Sequence, residues 1–406
     1  MYKSTKFYKC VVDEEKCVKC GACRIVNLCY SPGNCVGCLS CYYFCPYEAR
    51  EIVEDKSPRK EIRVVVDGVE YSVPERITVL KALELIGYSI GIYPNEGKIQ
   101  APCRTGGCWS CAVEINDSLE RSCITPIEEG MRISTDVRDK PPLRIVHGPE
   151  PHTVGGKATP YYAKGKGKYV EAAIWVAGCN LRCPQCQNWH VTYDNITEPL
   201  TPKKAAEKLT AVGDYYEVSG LAISGGEPTL NRRWLIEFFR HLSELNKGKN
   251  RRLHLDSNGT LLTPDYIDEL VEAGCNNIGV EPKCVYVESY TKITGITDKE
   301  LAEKYLNTAW NAIKYLVDHY KEKVYIGVGL VYNKELVSLD EIAKAGEKLA
   351  SIDPEVQVCV LDYFPAFRRR NLKRPSVFEM LKVKRILNDA GLKCVIVQTS
   401  IGHFGP

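Results

Sequence analysis

The sequence holds no run of the ~18 uncharged apolar residues that a membrane-crossing helix requires. Its opening residues, MYKSTKFYKC, contain no apolar h-region, so no secretory signal is expected. Neither sign of charge dominates: 54 Lys and Arg face 51 Asp and Glu, and a net +3 does not predict a nucleic-acid or membrane surface. The basic group Arg368, Arg369, Arg370, Lys373 and Arg374 reads as a solvated loop or helix start. What is abundant is cysteine, 20 in 406 residues. A disulfide framework belongs to oxidising compartments and usually to short secreted chains. The expectation here is a cytoplasmic protein whose closely spaced thiols hold metal.

The length suits two to four domains, and 44% apolar with 26% charged residues is an ordinary globular composition. Residues 1–58 are dense in cysteine with short spacers. Residues 59–136 read as a small β-rich domain, with alternating runs either side of Asp67-Gly68 and a helical pattern over 78–86. Residues 137–169 carry the Gly/Pro clusters DKPP, HGPEP, VGGK and AKGKGK and read as linker. From 170 to 406, strand candidates at 171–177, 219–223, 252–256, 276–281, 324–330, 356–361 and 393–397 alternate with helix candidates at 203–212, 232–246, 264–273, 298–321, 338–351 and 376–390. Alternation of this kind predicts an α/β fold, a partial (β/α)6-type parallel barrel, with chemistry at the C-terminal strand ends.

In the first segment Cys17-x2-Cys20-x2-Cys23 and Cys35-x2-Cys38-x2-Cys41 repeat one pattern, and Cys45-Pro46 closes the second copy. Tight triple turns set three thiolates round one face of a cube, and the fourth ligand reaches the other cluster. The segment resembles a small α+β ferredoxin with two [4Fe–4S] clusters. The resemblance implies Cys17, Cys20, Cys23 and Cys45 around one, and Cys35, Cys38, Cys41 and Cys29 around the other. Five residues separate Cys23 from Cys29 and Tyr30 replaces the proline, so Cys10 stands in reserve. Paired C-x2-C units also suit zinc, but triple runs favour iron–sulfur.

Cys103-x4-Cys108-x2-Cys111 with Cys123 follows the plant-type [2Fe–2S] spacing, and its short last gap resembles the iron–sulfur domains of molybdenum hydroxylases. A β-grasp fold over about 61–135 is implied, with Gly106 and Gly107 letting the loop close tightly. A structural zinc loop is the alternative.

Cys179-x3-Cys183-x2-Cys186 follows the first barrel strand candidate. Three thiolates on a [4Fe–4S] cluster leave one iron open, as catalytic metal sites keep a position free. The next three strand candidates end in Gly225-Gly226-Glu227-Pro228, Asp256-Ser257-Asn258-Gly259 and Glu281-Pro282-Lys283, so four consecutive strands deliver polar residues at one end. Over about 170–400 these motifs resemble pyruvate formate-lyase activating enzymes, members of the radical S-adenosylmethionine group. The resemblance implies an open-iron cluster on Cys179, Cys183 and Cys186, and a methionine-amine site at Gly225, Gly226 and Glu227. It also implies a monovalent cation beside Asp256 and Ser257, with Asn258 a cofactor-binding residue of the same loop. Glu281 and Lys283 stand where the family has Asp-x-Lys. Gln185 replaces a common adenine-stacking aromatic, a contact left to Trp189 or another ring.

The implied cofactors are three [4Fe–4S] clusters, one [2Fe–2S] cluster, S-adenosylmethionine and a monovalent cation. Fused low-potential clusters would relay electrons to the catalytic one. The implied partners are an electron donor, ferredoxin or reductase, and a protein substrate such as a glycyl radical enzyme; a peptide or cofactor substrate stays open. The competing reading is an iron–sulfur electron-transfer subunit of a larger oxidoreductase. Cys275, Cys359 and Cys394 lie in apolar strand segments and read as small hydrophobes. Cys284, beside Lys283, is the one that could touch substrate, while His190, His254 and His403 read as structural.

Overall fold

The computed structural model describes residues 6–93, 95–164 and 168–406. Residues 1–5, Pro94 and the 165–167 part of the AKGKGK stretch lie outside them. The chain folds as two compact units. The first takes Met1–Val146, Val176–Asn180 and Asn188–Thr201; the second takes His147–Trp175, Leu181–Gln187 and Pro202–Pro406.

In the first unit an antiparallel ribbon, Tyr8–Val12 on Arg50–Glu54, brackets the cysteine-dense segment. Only two short helices, Ala22–Ile25 and Ser40–Phe44, form between the cysteines. The β-rich segment makes a five-stranded sheet in the order Val69–Pro74, Glu61–Val66, Arg132–Ser134, Ala112–Ile115, Ser118–Arg121. Its first hairpin turns at Asp67-Gly68, both with positive φ, as a two-residue turn matched to strand twist requires. Thr78 caps the helix Val79–Leu85 by accepting from the Lys81 amide. Alternate strand residues (Val64, Val66, Val73, Val113, Ile133) meet Val79 and Leu83 of that helix in one core.

In the second unit every strand candidate forms: β1 (Glu171–Val176), β2 (Gly220–Gly225), β3 (Arg252–Ser257), β4 (Asn277–Lys283), β5 (Tyr325–Tyr332), β6 (Gln357–Asp362) and β7 (Val395–Thr399). They lie side by side in sequence order, and β2 through β7 pair parallel, in a sheet open at both ends. The six helix candidates appear as Pro202–Tyr215, Arg232–Leu245, Pro264–Glu272, Lys299–Tyr320, Leu339–Ile352 and Val377–Asp389. Each start has a local cause: Asn231, Asp298, Ser338 and Ser376 cap four helices with side chains, and Pro202 and Pro264 open the other two.

Residues 144–152, read as linker from their Gly and Pro content, form the strand Arg144–His152 next to β1. Gly148, Pro149 and Pro151 hid the strand from pattern reading. Proline is tolerated there because the only strand on the other side pairs with Arg144 and Ile145 alone, so no ladder partner is lost further along. Gly402–Phe404 adds an antiparallel edge beyond β7, and a helix Val287–Thr294 follows β4; neither was foreseen. No helix among the described residues is long and apolar enough to cross a membrane.

Candidate active site

The loop after β2 is organised by one carboxylate. Glu227 is fully buried; its Oε1 accepts from the Thr229 amide (3.0 Å), the Thr229 hydroxyl (2.6 Å) and the Ser257 hydroxyl (2.8 Å). Its Oε2 accepts from the Asn258 amide at 2.7 Å. Glu227 therefore holds its own turn and ties it to the loop after β3. Gly225 has φ +118, a conformation only glycine adopts without strain. Asn258 turns inward on its own loop, its Oδ1 accepting from the Thr260 amide and hydroxyl at 3.0 and 2.7 Å.

A second network crosses the sheet. His254 of β3 bridges Glu171 of β1 (3.0 Å) and Asp256 (3.2 Å). Burial opposes its charge, yet the two carboxylates push His254 up to about 9, which favours the imidazolium form. The Asp256 carboxyl is disfavoured by burial but held well below its usual range by Lys157 and His254. Lys157 also pairs with Glu281 at 3.1 Å. Glu281 pairs in turn with Lys283, whose ammonium reaches the Tyr363 hydroxyl at 3.1 Å. The Glu281-Pro282-Lys283 segment is irregular: the β4–β5 register shifts between Val280 and Lys283, and Lys283 has φ +72. That bulge, with proline removing a ladder donor, sets both charged side chains at the strand end.

Of this network the sequence reading named Asp256, Glu281 and Lys283. It missed Lys157, Glu171 and Tyr363, and took His254 as structural. Lys157 stood in a stretch read as linker, and its only local signal was the glycine pair before it.

Cys183 and Cys186 lie in one turn, with the Cys186 amide bonded to the Cys183 carbonyl at 3.1 Å. Burial pushes the Cys183 thiol up to about 11, against the pull of the Lys283 ammonium. Gln185 is buried and its amide donates to the Ile293 carbonyl at 2.8 Å. Trp189, in the first unit, packs its ring on Phe44. Cys284 is buried with its sulfur 3.5 Å from the Tyr286 carbonyl, a packed position rather than an exposed one.

In the first unit Cys17, Cys20, Cys23 and Cys45 line one small cavity with Cys41 and Arg50. Cys35, Cys38 and Cys41 gather with the expected ligand Cys29 and the reserve Cys10: the Cys10 amide donates to the Cys35 sulfur at 3.4 Å, and Cys29 lies within reach of the charges of Cys35 and Cys41. The geometry leaves Cys29 and Cys10 both in range, and iron content separates them. With Cys29 as ligand, C29S loses one cluster's iron on reconstitution while C10S keeps it; the reverse result assigns Cys10.

Cys103, Cys108, Cys111 and Cys123 are all buried and stand as two hydrogen-bonded pairs, Cys103 with Cys108 and Cys111 with Cys123. Among the described residues no three Cys, His, Asp or Glu are grouped tightly enough for a single metal ion. Four soft, dry thiols in one loop region are a donor set that fits a [2Fe–2S] cluster. Gly107 has a further reason to be glycine: a Cβ there would meet the Gly178 amide at 2.7 Å, and one on Gly178 would meet the Cys108 Cβ at 2.7 Å. The cysteine loop thus lies backbone to backbone on Ala177-Gly178, one residue before Cys179.

A parallel sheet with cysteines and charged side chains in the loops after its strands, on one chain with a cysteine-bearing β-domain, suits the class of iron–sulfur proteins. Residues 174–342 match the radical SAM superfamily, and residues 59–138 match a 2Fe-2S iron-sulfur cluster binding domain. The chain is an enzyme carrying a radical SAM domain and a 2Fe–2S domain, and the first implies a [4Fe–4S] cluster and S-adenosylmethionine.

Among its relatives are two Methanocaldococcus jannaschii proteins provisionally named glycyl-radical enzyme activating enzymes. One is 30% identical over 118 residues, 29% of this chain and 45% of the relative. The other is 27% identical over 217 residues, 52% of this chain and 73% of the relative. A Methanococcus aeolicus protein provisionally named a GTP 3′,8-cyclase is 33% identical over 117 residues, 29% of this chain and 38% of the relative. The matches thus span less than half the length of two of these relatives and about three quarters of the third.

Proposed function

We propose that this enzyme cleaves S-adenosylmethionine reductively and abstracts hydrogen from a protein substrate, as activators of glycyl radical enzymes do, drawing electrons through its N-terminal modules. The observation that carries this reading is the segment 179–186: three cysteines directly after β1 and no other Cys, His, Asp or Glu among them. When bound, a three-thiolate [4Fe–4S] cluster and S-adenosylmethionine together supply the hydrogen-abstracting 5′-deoxyadenosyl radical. The chain's own residues do the rest. Cys179, Cys183 and Cys186 would hold three irons of the cluster and leave the fourth free for the methionine. Glu227 fixes the Gly225-Gly226 turn, whose carbonyls would accept from the methionine ammonium, and the loop of Asp256, Ser257 and Asn258 is locked to it through the same carboxylate. Lys283, held by Glu281 and Tyr363, keeps a fixed positive charge in the surroundings of Cys183. The names of two relatives favour a protein glycine as target.

The full reading places two further [4Fe–4S] clusters on the N-terminal cysteines, a [2Fe–2S] cluster on Cys103, Cys108, Cys111 and Cys123, and a ferredoxin or reductase as outside donor. Reconstituted, reduced protein is expected to form 5′-deoxyadenosine from S-adenosylmethionine. Zinc in place of iron, or a fourth side chain on that cluster, overturns the reading.

The packing of Cys108 on Gly178 supports a relay, because Cys179 is the next residue. Deleting residues 1–136 is a poor test, since it also strips Ala177 of Trp109 and Asn195 of its bond with Leu28. C111S is cleaner. With the relay intact only in the wild type, turnover driven by a protein reductant falls at least about tenfold in C111S while turnover driven by dithionite is unchanged. Equal loss under both reductants rejects the relay.

A further inference from the structure

The resemblance to activating enzymes assigns a monovalent cation to the surroundings of Asp256 and Ser257, and the donors found there do not fit one. Asp256 Oδ1 already faces the Lys157 amide (3.3 Å), His254 Nε2 (3.2 Å) and the Lys157 ammonium (3.7 Å). Glu281 is taken by the Lys157 and Lys283 ammoniums and by the Tyr363 hydroxyl at 3.2 Å. Ser257 Oγ donates to Glu227 and accepts from the Gly259 amide at 3.0 Å. The carboxylates are also met by ammonium groups of the chain itself: Lys157 spans Asp256 and Glu281, and Lys283 pairs with Glu281. A further cation between Asp256 and Glu281 would have to displace the Lys157 ammonium or sit beside it, at the cost of like-charge repulsion and its own desolvation.

Lys157 is placed there by the fold. Its carbonyl accepts from Gln357 Nε2 at 2.6 Å, and Asn277 Nδ2 holds the next carbonyl, that of Ala158, at 2.8 Å. The Thr159 hydroxyl donates to Glu171 at 2.9 Å. So β1, β3, β4 and β6 all grip the segment. Three glycines make room for it. A Cβ on Gly279 of β4 would lie 3.2 Å from the Lys157 Cβ, one on Gly327 of β5 would collide with its carbonyl, and one on Gly329 would lie 2.6 Å from its Cδ. The stem therefore climbs β5 from Gly327 towards Gly329 and delivers its ammonium between Asp256 and Glu281.

We infer that Lys157 is a built-in counter-ion, taking from within the chain the place between Asp256 and Glu281 that a monovalent cation would fill, so that S-adenosylmethionine binding here needs no added Na⁺ or K⁺. This rests on the reading that these loops hold S-adenosylmethionine. The test uses reconstituted holoprotein in buffers of equal ionic strength containing tetramethylammonium, Na⁺ or K⁺. Two readouts are taken: the Kd for S-adenosylmethionine by equilibrium dialysis, and saturable Na⁺ binding by ²³Na relaxation. The wild type is expected to give one Kd in all three buffers and no saturable Na⁺ site.

K157M keeps the apolar stem and removes the charge. In tetramethylammonium its affinity is expected to fall at least about tenfold, with Na⁺ or K⁺ restoring it as a Na⁺ site appears. K157R, which keeps the charge, stays independent of the cation and guards against a folding defect in K157M. A saturable Na⁺ site in the wild type, or K157M indistinguishable from wild type in tetramethylammonium, overturns the counter-ion role and leaves the S-adenosylmethionine reading standing. Failure of the wild type to bind S-adenosylmethionine in every buffer overturns both.

Discussion

Replacing Cys183 with alanine is expected to abolish 5′-deoxyadenosine formation while sparing the iron of the N-terminal modules. Cys183 is half-buried and lies in one turn with Cys186, and no Cys, His, Asp or Glu stands beside it within 179–186 to substitute. Groups that only support a metal ligand typically change affinity or activity 10- to 100-fold, so loss of a ligand itself should exceed about 100-fold. The checking measurements are nucleoside release from S-adenosylmethionine by the reduced protein and iron per chain. Loss of one cluster's iron with no nucleoside formed is the expected pair. Full iron content with wild-type cleavage would show that Cys183 holds no part of the catalytic cluster.

The second large effect is expected at Glu227. Alanine there strands four donors in the interior: the Thr229 amide and hydroxyl, the Ser257 hydroxyl and the Asn258 amide. Leaving buried donors unsatisfied costs about 1–3 kcal/mol each where water cannot enter, so a total of about 3 kcal/mol or more is expected. It would appear as a lower guanidinium midpoint at unchanged slope. Because the same bonds join the loop after β2 to the loop after β3, S-adenosylmethionine affinity should fall together with stability. E227Q keeps the shape but turns an NH2 group towards one of those donors, so it should lie between E227A and wild type on both measurements. Wild-type stability in E227A would show that the tie between the loops is dispensable.

Much of this molecule is local in origin. The seven barrel strands and six helices follow from apolar runs, amphipathic periods and caps, which act over a few residues. The cysteine sets follow from spacing, because a cluster demands thiolates at short fixed intervals. Gly225-Gly226-Glu227 was legible for the same reason: the turn and the carboxylate that braces it are neighbours. Elements that broke a local rule were not legible. Arg144–His152 is a strand despite two prolines, because its outer edge needs few ladder bonds.

The sequence by itself determined which segments become strands, helices and thiol-bearing loops, since those depend on interactions between residues close along the chain. Only the tertiary structure decided that Lys157 meets Asp256, 99 positions away, and that Gly279, Gly327 and Gly329 clear a path for its stem. Such a meeting depends on strand order and register across β3, β4 and β5, which no short stretch of chain specifies. The same holds for Gly178 beneath Cys108: a backbone contact between distant glycines leaves no periodic mark, because what it requires is the absence of a side chain.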